Sequence, residues 1–296
     1  MSYVLTLAAA SPPSRDALVE ALALSDLQVT AREGGDWDGV VHLARVGLST
    51  RSTELSWKEG RFEVRVLSLA APEDGALAVR AVEAAARLTG QSEVETELHG
   101  TIPVADLAST HDARWVESLA ESGARTVATL VREGRGPIEI PGPMRSFYFG
   151  PRSLARLAGP VETLHHRLLE ALRRVQWLEA QHPAASRFVA RQNNGAGEFT
   201  FATWMGRPIF LPAVDRVLID VGMGARRSAS SGAGSGTNGG GSGGTDREVF
   251  LVPAEVVPEL AGTHFTPLDE RQGTIDGYTE AAWAALVAAA RRHSLG

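Results

Sequence analysis

The chain has 296 residues, 44% of them hydrophobic, with 29 Lys and Arg against 35 Asp and Glu for a net charge of -6. That apolar fraction excludes a mostly disordered chain, and the length allows one large domain or two of ordinary size. The absence of Cys excludes disulfide scaffolds, thiolate zinc sites, iron–sulfur clusters and a cysteine nucleophile.

The first hundred residues read as strands interleaved with helices. Tyr3–Ala9 opens as a strand, and Arg15–Leu24 carries Leu18, Ala21 and Leu22 at helical spacing. Leu27–Ala31 and Val40–Val46 are short strand candidates. Thr53–Trp57 and Phe62–Leu69 flank Lys58-Glu59-Gly60, which predicts a hairpin. In the second arm Phe62, Val64 and Val66 alternate with Glu63 and Arg65, so one face of that sheet is buried and the other wet. Pro72-Glu73-Asp74 opens a helix that runs to Leu88 and stops at Gly90, with acidic residues in its first turn and Arg87 in its last.

In the middle of the chain, Val104–Leu107 and His111–Glu133 read as helices and Ile138–Phe149 as an extended crossing segment. Val161–Ala180 is predicted as one helix, because Val161, Leu164, Leu168, Leu172, Val175 and Leu178 recur at steps of three and four. The last third returns to strands. Ser186–Arg191 and Glu198–Trp204 bracket Asn193-Asn194-Gly195-Ala196-Gly197, and Val214–Val221 and Glu248–Val252 form a second hairpin. Between that last pair, residues 222–245 are a Gly/Ser-rich loop whose composition cannot offset its ordering entropy. A helix over Asp276–His293 closes the chain. The expected class is α+β: two antiparallel sheets with flanking helices, separated by a helical middle. The expected domains are 1–100, 101–183 and 184–296.

Several motifs match only in form. Gly240-Gly241-Ser242-Gly243-Gly244 fits the nucleophile-elbow pattern but lacks a strand entering and a helix leaving it. Gly222-Met223-Gly224 follows a strand, yet Arg227 occupies the third glycine position and no helix follows. Two Glu-x-x-His tetrads, Glu162 to His165 and Glu179 to His182, fall about 25 Å apart on one predicted helix, too far to share a metal pair, so both read as solvated positions. No cofactor and no metal is therefore expected. The densest titratable spot is His165-His166, with His166 four residues from both Glu162 and Glu170. The candidate catalytic pair is His166 with Glu170.

Charge is unevenly spread. Arg145 to Arg191 contains eight arginines and three acidic residues, inside a chain that is acidic on both sides. Arg167, Arg173 and Arg174 are the candidate partner- or anion-binding residues; bracing of the acidic N-terminal region is the competing use of the same charge. Negative overall charge and a single aromatic cluster, Phe147-Tyr148-Phe149, argue against nucleic acid. The longest apolar run, Ala281–Ala290, is about half of what a membrane span needs. With Tyr3–Ala10 lacking the cationic start of a secretory signal, a cytoplasmic location is expected.

Two stretches, Pro72-Glu73-Asp74-Gly75-Ala76-Leu77-Ala78 running on to Leu88-Thr89-Gly90, and Glu248-Val249-Phe250-Leu251-Val252-Pro253-Ala254-Glu255-Val256, resemble segments of uncharacterised bacterial proteins of the secretion-accessory and polymorphic-toxin immunity kind. The resemblance implies a non-enzymatic, intracellular protein-binding module with another protein as partner. It transfers no site residue. The alternative is an enzyme acting on an anionic substrate through His165 or His166 with Glu162 or Glu170. Oligomeric state carries no sequence signal.

Overall fold

In a computed structural model, residues 2–31, 37, 39–178, 182–192, 197–221 and 248–295 are described. The chain divides into two compact units, Met1–Trp177 and Leu178–Gly296. The Gly/Ser-rich stretch 222–245 and the glycine motifs within it lie outside the described residues, as does Glu179 of the second tetrad.

The first unit contains β1 (Ser2–Ala8), α1 (Arg15–Leu22), β2 (Leu27–Ala31), β3 (Val41–Arg45), β4 (Thr53–Lys58), β5 (Arg61–Leu67), α2 (Pro72–Thr89), β6 (Glu93–Thr96) and β7 (Gly100–Pro103). After these come α3 (Leu107–Thr110), α4 (Ala113–Arg132), β8 (Ile138–Ile140), β9 (Phe147–Phe149), α5 (Pro151–Arg156) and α6 (Leu164–Gln176). Seven strands form one antiparallel sheet in the order β2-β3-β4-β5-β1-β6-β7. The alternation in β5 sets the register. Phe62, Val64 and Val66 pair with Leu7, Leu5 and Tyr3 and share one buried cluster with Leu77, Ala81 and Ala85 of α2. The β4–β5 turn is the two-residue loop Glu59-Gly60, both with positive φ, and Gly60 at +78° takes the left-handed position without strain.

Several boundaries differ from the sequence expectation for local reasons. Ala23 turns into the left-handed region and ends α1 early. The carboxylate of Asp112 accepts from the amides of Arg114 and Trp115, so α4 starts after it and not at His111. The predicted helix Val161–Ala180 is shorter at both ends. Val161–Thr163 is a 3-10 turn, and α6 stops at Gln176, whose side chain accepts from the amides of Met144 and Arg145. Next to it, the Trp177 indole leaves the helix line to donate to the Ser49 carbonyl at 2.8 Å. The crossing segment is a short hairpin of β8 and β9.

The second unit contains β10 (Arg187–Arg191), β11 (Glu198–Trp204), β12 (Ile209–Leu211), β13 (Arg216–Asp220), β14 (Val249–Pro253), α7 (Val257–Ala261), β15 (Phe265–Pro267), β16 (Gly273–Ile275) and α8 (Glu280–His293). Four strands run β10-β11-β13-β14, and β12-β16-β15 make a small antiparallel sheet. Both expected hairpins pair antiparallel, but β11 and β13 run parallel, because β12 carries the chain back between them. Asp215 fixes the start of that parallel pair, accepting from the Thr200 amide at 2.8 Å and its hydroxyl at 2.9 Å. The amide bond holds the Asp215 carboxyl below the usual carboxylate range against the opposing effect of burial. Ala202, Trp204, Val217, Ile219, Phe250 and Val252 face α7 and α8 as the core. The fold class is α+β, as the strand and helix order implied.

Candidate functional site

α4 and α6 pack against each other, and the groups singled out in the sequence sort by which flank of α6 they occupy. Leu164, Leu168, Leu169, Leu172 and Val175 form the buried stripe. His165 is drawn into the same buried side, with 6% of its side chain exposed, so the reading of the first tetrad as a solvated position is corrected. His166 is 58% exposed. The carboxylate that meets them is neither Glu162 nor Glu170, both of which are exposed, but Glu117 of α4.

The Nε2 atoms of His165 and His166 each lie 3.4 Å from Glu117 Oε1. The two rings are 3.9 Å apart between centroids. His165 Nδ1 is buried and has no hydrogen-bond partner among the described residues. Among the described residues this trio is one group of three His or carboxylate donors whose ligand atoms fall within 4.8 Å of one another. Sequence spacing could not have found Glu117, which stands 48 residues before His165 on another helix. The second tetrad's His182 belongs to the other unit, where it meets Asp276 at 2.9 Å.

The cationic segment is largely used inside the first unit. Arg167 donates to the carbonyls of Leu157 and Pro160 and to the Thr163 hydroxyl, tying down the turn that precedes α6. Arg173 donates to the Leu48 carbonyl at 2.9 Å and reaches Glu73 at 3.4 Å, which places it as a brace on the loop before β4. Arg145 donates to the carbonyl of Gln176 at the end of α6, and burial holds its guanidinium below its ordinary value. Arg174 alone of the three candidates is exposed on the helix surface.

In the second unit the remaining arginines of the segment, Arg187 and Arg191, lie on β10, which ends the four-stranded sheet. This edge strand is unusually open, with Phe188 46% and Val189 65% exposed. On the side away from the core, Phe188 stacks on Phe201 at 5.2 Å and the Arg216 guanidinium sits 4.0 Å over the Phe199 ring. A separate cleft of about 630 Å³ in this unit is lined by Met205, Tyr278, Thr279, Trp283, Val287 and Arg291. Its Tyr278 donates to the Ala261 carbonyl and is pushed up to about 12 by burial and by Asp276, so it stays a neutral donor. Arg291 is already held by Glu248 through three contacts of 2.7–3.0 Å.

No family model, curated protein or solved structure matches the chain.

Proposed function

We propose that this chain is a non-enzymatic protein-binding module of the immunity or secretion-accessory kind, acting in the cytoplasm, and that it binds its partner through the edge strand β10. The observation that carries this reading is the exposed β10 itself. Sheet edges are normally blunted because their unpaired backbone groups template the addition of another strand. β10 instead presents Phe188 and Val189 to solvent. Arg187 and Arg191 flank them on the face shared with Val189, where side chains alternate. The partner chemistry that fits is an extended, acidic segment of another protein, held by main-chain hydrogen bonds and steered by Arg187, since Arg191 is already paired with Glu198 at 2.9 Å. The cationic segment thus serves two ends: bracing within the first unit, recognition in the second.

Co-purification of the tagged full chain with its partner tests this. Val189→Lys combined with Arg187→Glu should abolish a stoichiometric complex that the native chain and Arg174→Glu both retain, and the charge-dependent part of the loss should shrink at high salt. Retention by the β10 variant with loss in Arg174→Glu would move the partner site to the central helix.

A further inference from the structure

We propose that Glu117, His165 and His166 form a binding site for a zinc-class divalent cation, with its fourth coordination position open to solvent. The distances are long for hydrogen bonds and suit coordination as well. An imidazole N–H donating to a carboxylate settles at about 2.7–3.2 Å. Both Nε2–Oε1 separations here are 3.4 Å. Around a tetrahedral zinc, with Zn–N and Zn–O bonds near 2.0–2.2 Å, neighbouring ligand atoms lie about 3.3–3.5 Å apart. The two edges that meet at Glu117 Oε1 match that spacing, and one carboxylate oxygen is shared by two imidazoles that face it together.

The donor set narrows the ion. Two imidazole nitrogens and one carboxylate oxygen suit borderline first-row metals, whereas magnesium and calcium prefer all-oxygen cages. The chain has no Cys, so no thiolate within it competes for the metal. The scaffold also suits capture. His165 is fixed on the buried side of α6, while Glu117 and His166 are 48% and 58% exposed, so an ion reaches the site from solvent and keeps a water as its fourth ligand. Three protein ligands with an open position form the arrangement in which zinc can bind an exogenous group, in contrast to closed structural sites. Adjacent positions on a helix normally diverge, but His165 and His166 stand in the first turn of α6, just after the 3-10 turn Val161–Thr163, and their rings converge.

The test titrates the chelator-stripped full chain with zinc chloride alone, by calorimetry. One ion per chain should bind, and magnesium should not replace it. Glu117→Gln and His166→Ala, both at half-exposed positions where folding is spared, should each weaken binding by at least about tenfold, the scale on which metal sites respond even to outer-shell changes. His182→Ala, in the other unit, should leave affinity unchanged. The thermal midpoint of the native chain should rise with zinc, and that rise should be smaller in both variants at the same zinc concentration. Absence of zinc binding, or binding that neither Glu117→Gln nor His166→Ala weakens, would overturn the site.

Discussion

At Asp74 a single carboxylate oxygen accepts from the backbone amides of Ala71, Thr50 and Arg51 at 2.8, 3.1 and 3.2 Å. It thereby caps α2 and pins the loop before β4 in one stroke. Burial pushes the carboxyl up, while the Ser49 side chain and then these amides pull the other way. Asp74→Ala strands three buried backbone amides and should cost about 3–5 kcal/mol in urea unfolding, whereas Asp74→Asn keeps an acceptor and should cost about 1–2. Equal losses would show that the amides find other partners. His111 is the second residue whose role depends on burial. Its Nε2 meets the Tyr3 hydroxyl at 3.0 Å and its Nδ1 the Thr110 hydroxyl at 2.8 Å. Burial, then the neighbouring His99, hold the imidazole below its ordinary value of 6.5. A depressed histidine contributes stability that is present above the unfolded value and lost as pH falls through the folded one. His111→Gln should therefore lose less unfolding midpoint between pH 7 and pH 5 than the native chain does. An unchanged acid slope would refute the assignment.

At the scale of elements, helix packing depends on single contacts that periodicity does not display. Gly75 of α2 faces Val116 of α4, and a Cβ at that position would stand 2.1 Å from Val116 Cγ2. Alanine normally favours a helix over glycine by about 1 kcal/mol. Here the overpacking of about 1–3 kcal/mol should win, so Gly75→Ala is expected to lower the unfolding midpoint, and Gly75→Ala with Val116→Ala to recover part of it. α6 gives the complementary test of its two flanks. Leu168 and Leu172 are fully buried, so either changed to Ala should cost about 2–5 kcal/mol. His166→Ala, on the exposed flank, should cost under about 1 in the absence of metal. Similar values at Leu168 and His166 in chemical denaturation would reverse the helix. The stripe of α6 was legible in the sequence because a core-facing helix must repeat its apolar residues every three or four positions. Its ends were not, since a tertiary bond to Gln176 and the departure of Trp177 decide where it stops.

For the whole molecule, the division at Trp177 leaves each unit with its own buried cluster. A chain of residues 1–177 is expected to fold alone, with coincident far-ultraviolet and tryptophan-fluorescence transitions. A non-cooperative transition in that fragment would mean the first unit depends on the second. Among the described residues no helix is long and apolar enough to cross a membrane. The proposed partner surface and the proposed metal site fall in different units, so variants of β10 and of Glu117 can be read separately.

By itself the sequence determined the α+β class, the alternation that orients β5, the turn at Glu59-Gly60, the buried stripe of α6 and both long hairpins of the second unit. All of these rest on spacing within one segment, where the period of a helix or strand must match the side that faces the core. Short strands such as β6, β7, β12, β15 and β16 escaped notice, because three or four residues are too few to show a period. The parallel pairing of β11 with β13 came only with the fold, and so did the choice between the two readings of Arg167 and Arg173, which serve as internal braces. So did the meeting of Glu117 with His165 and His166: its members come from two helices, and no spacing rule links residues that only helix packing brings together.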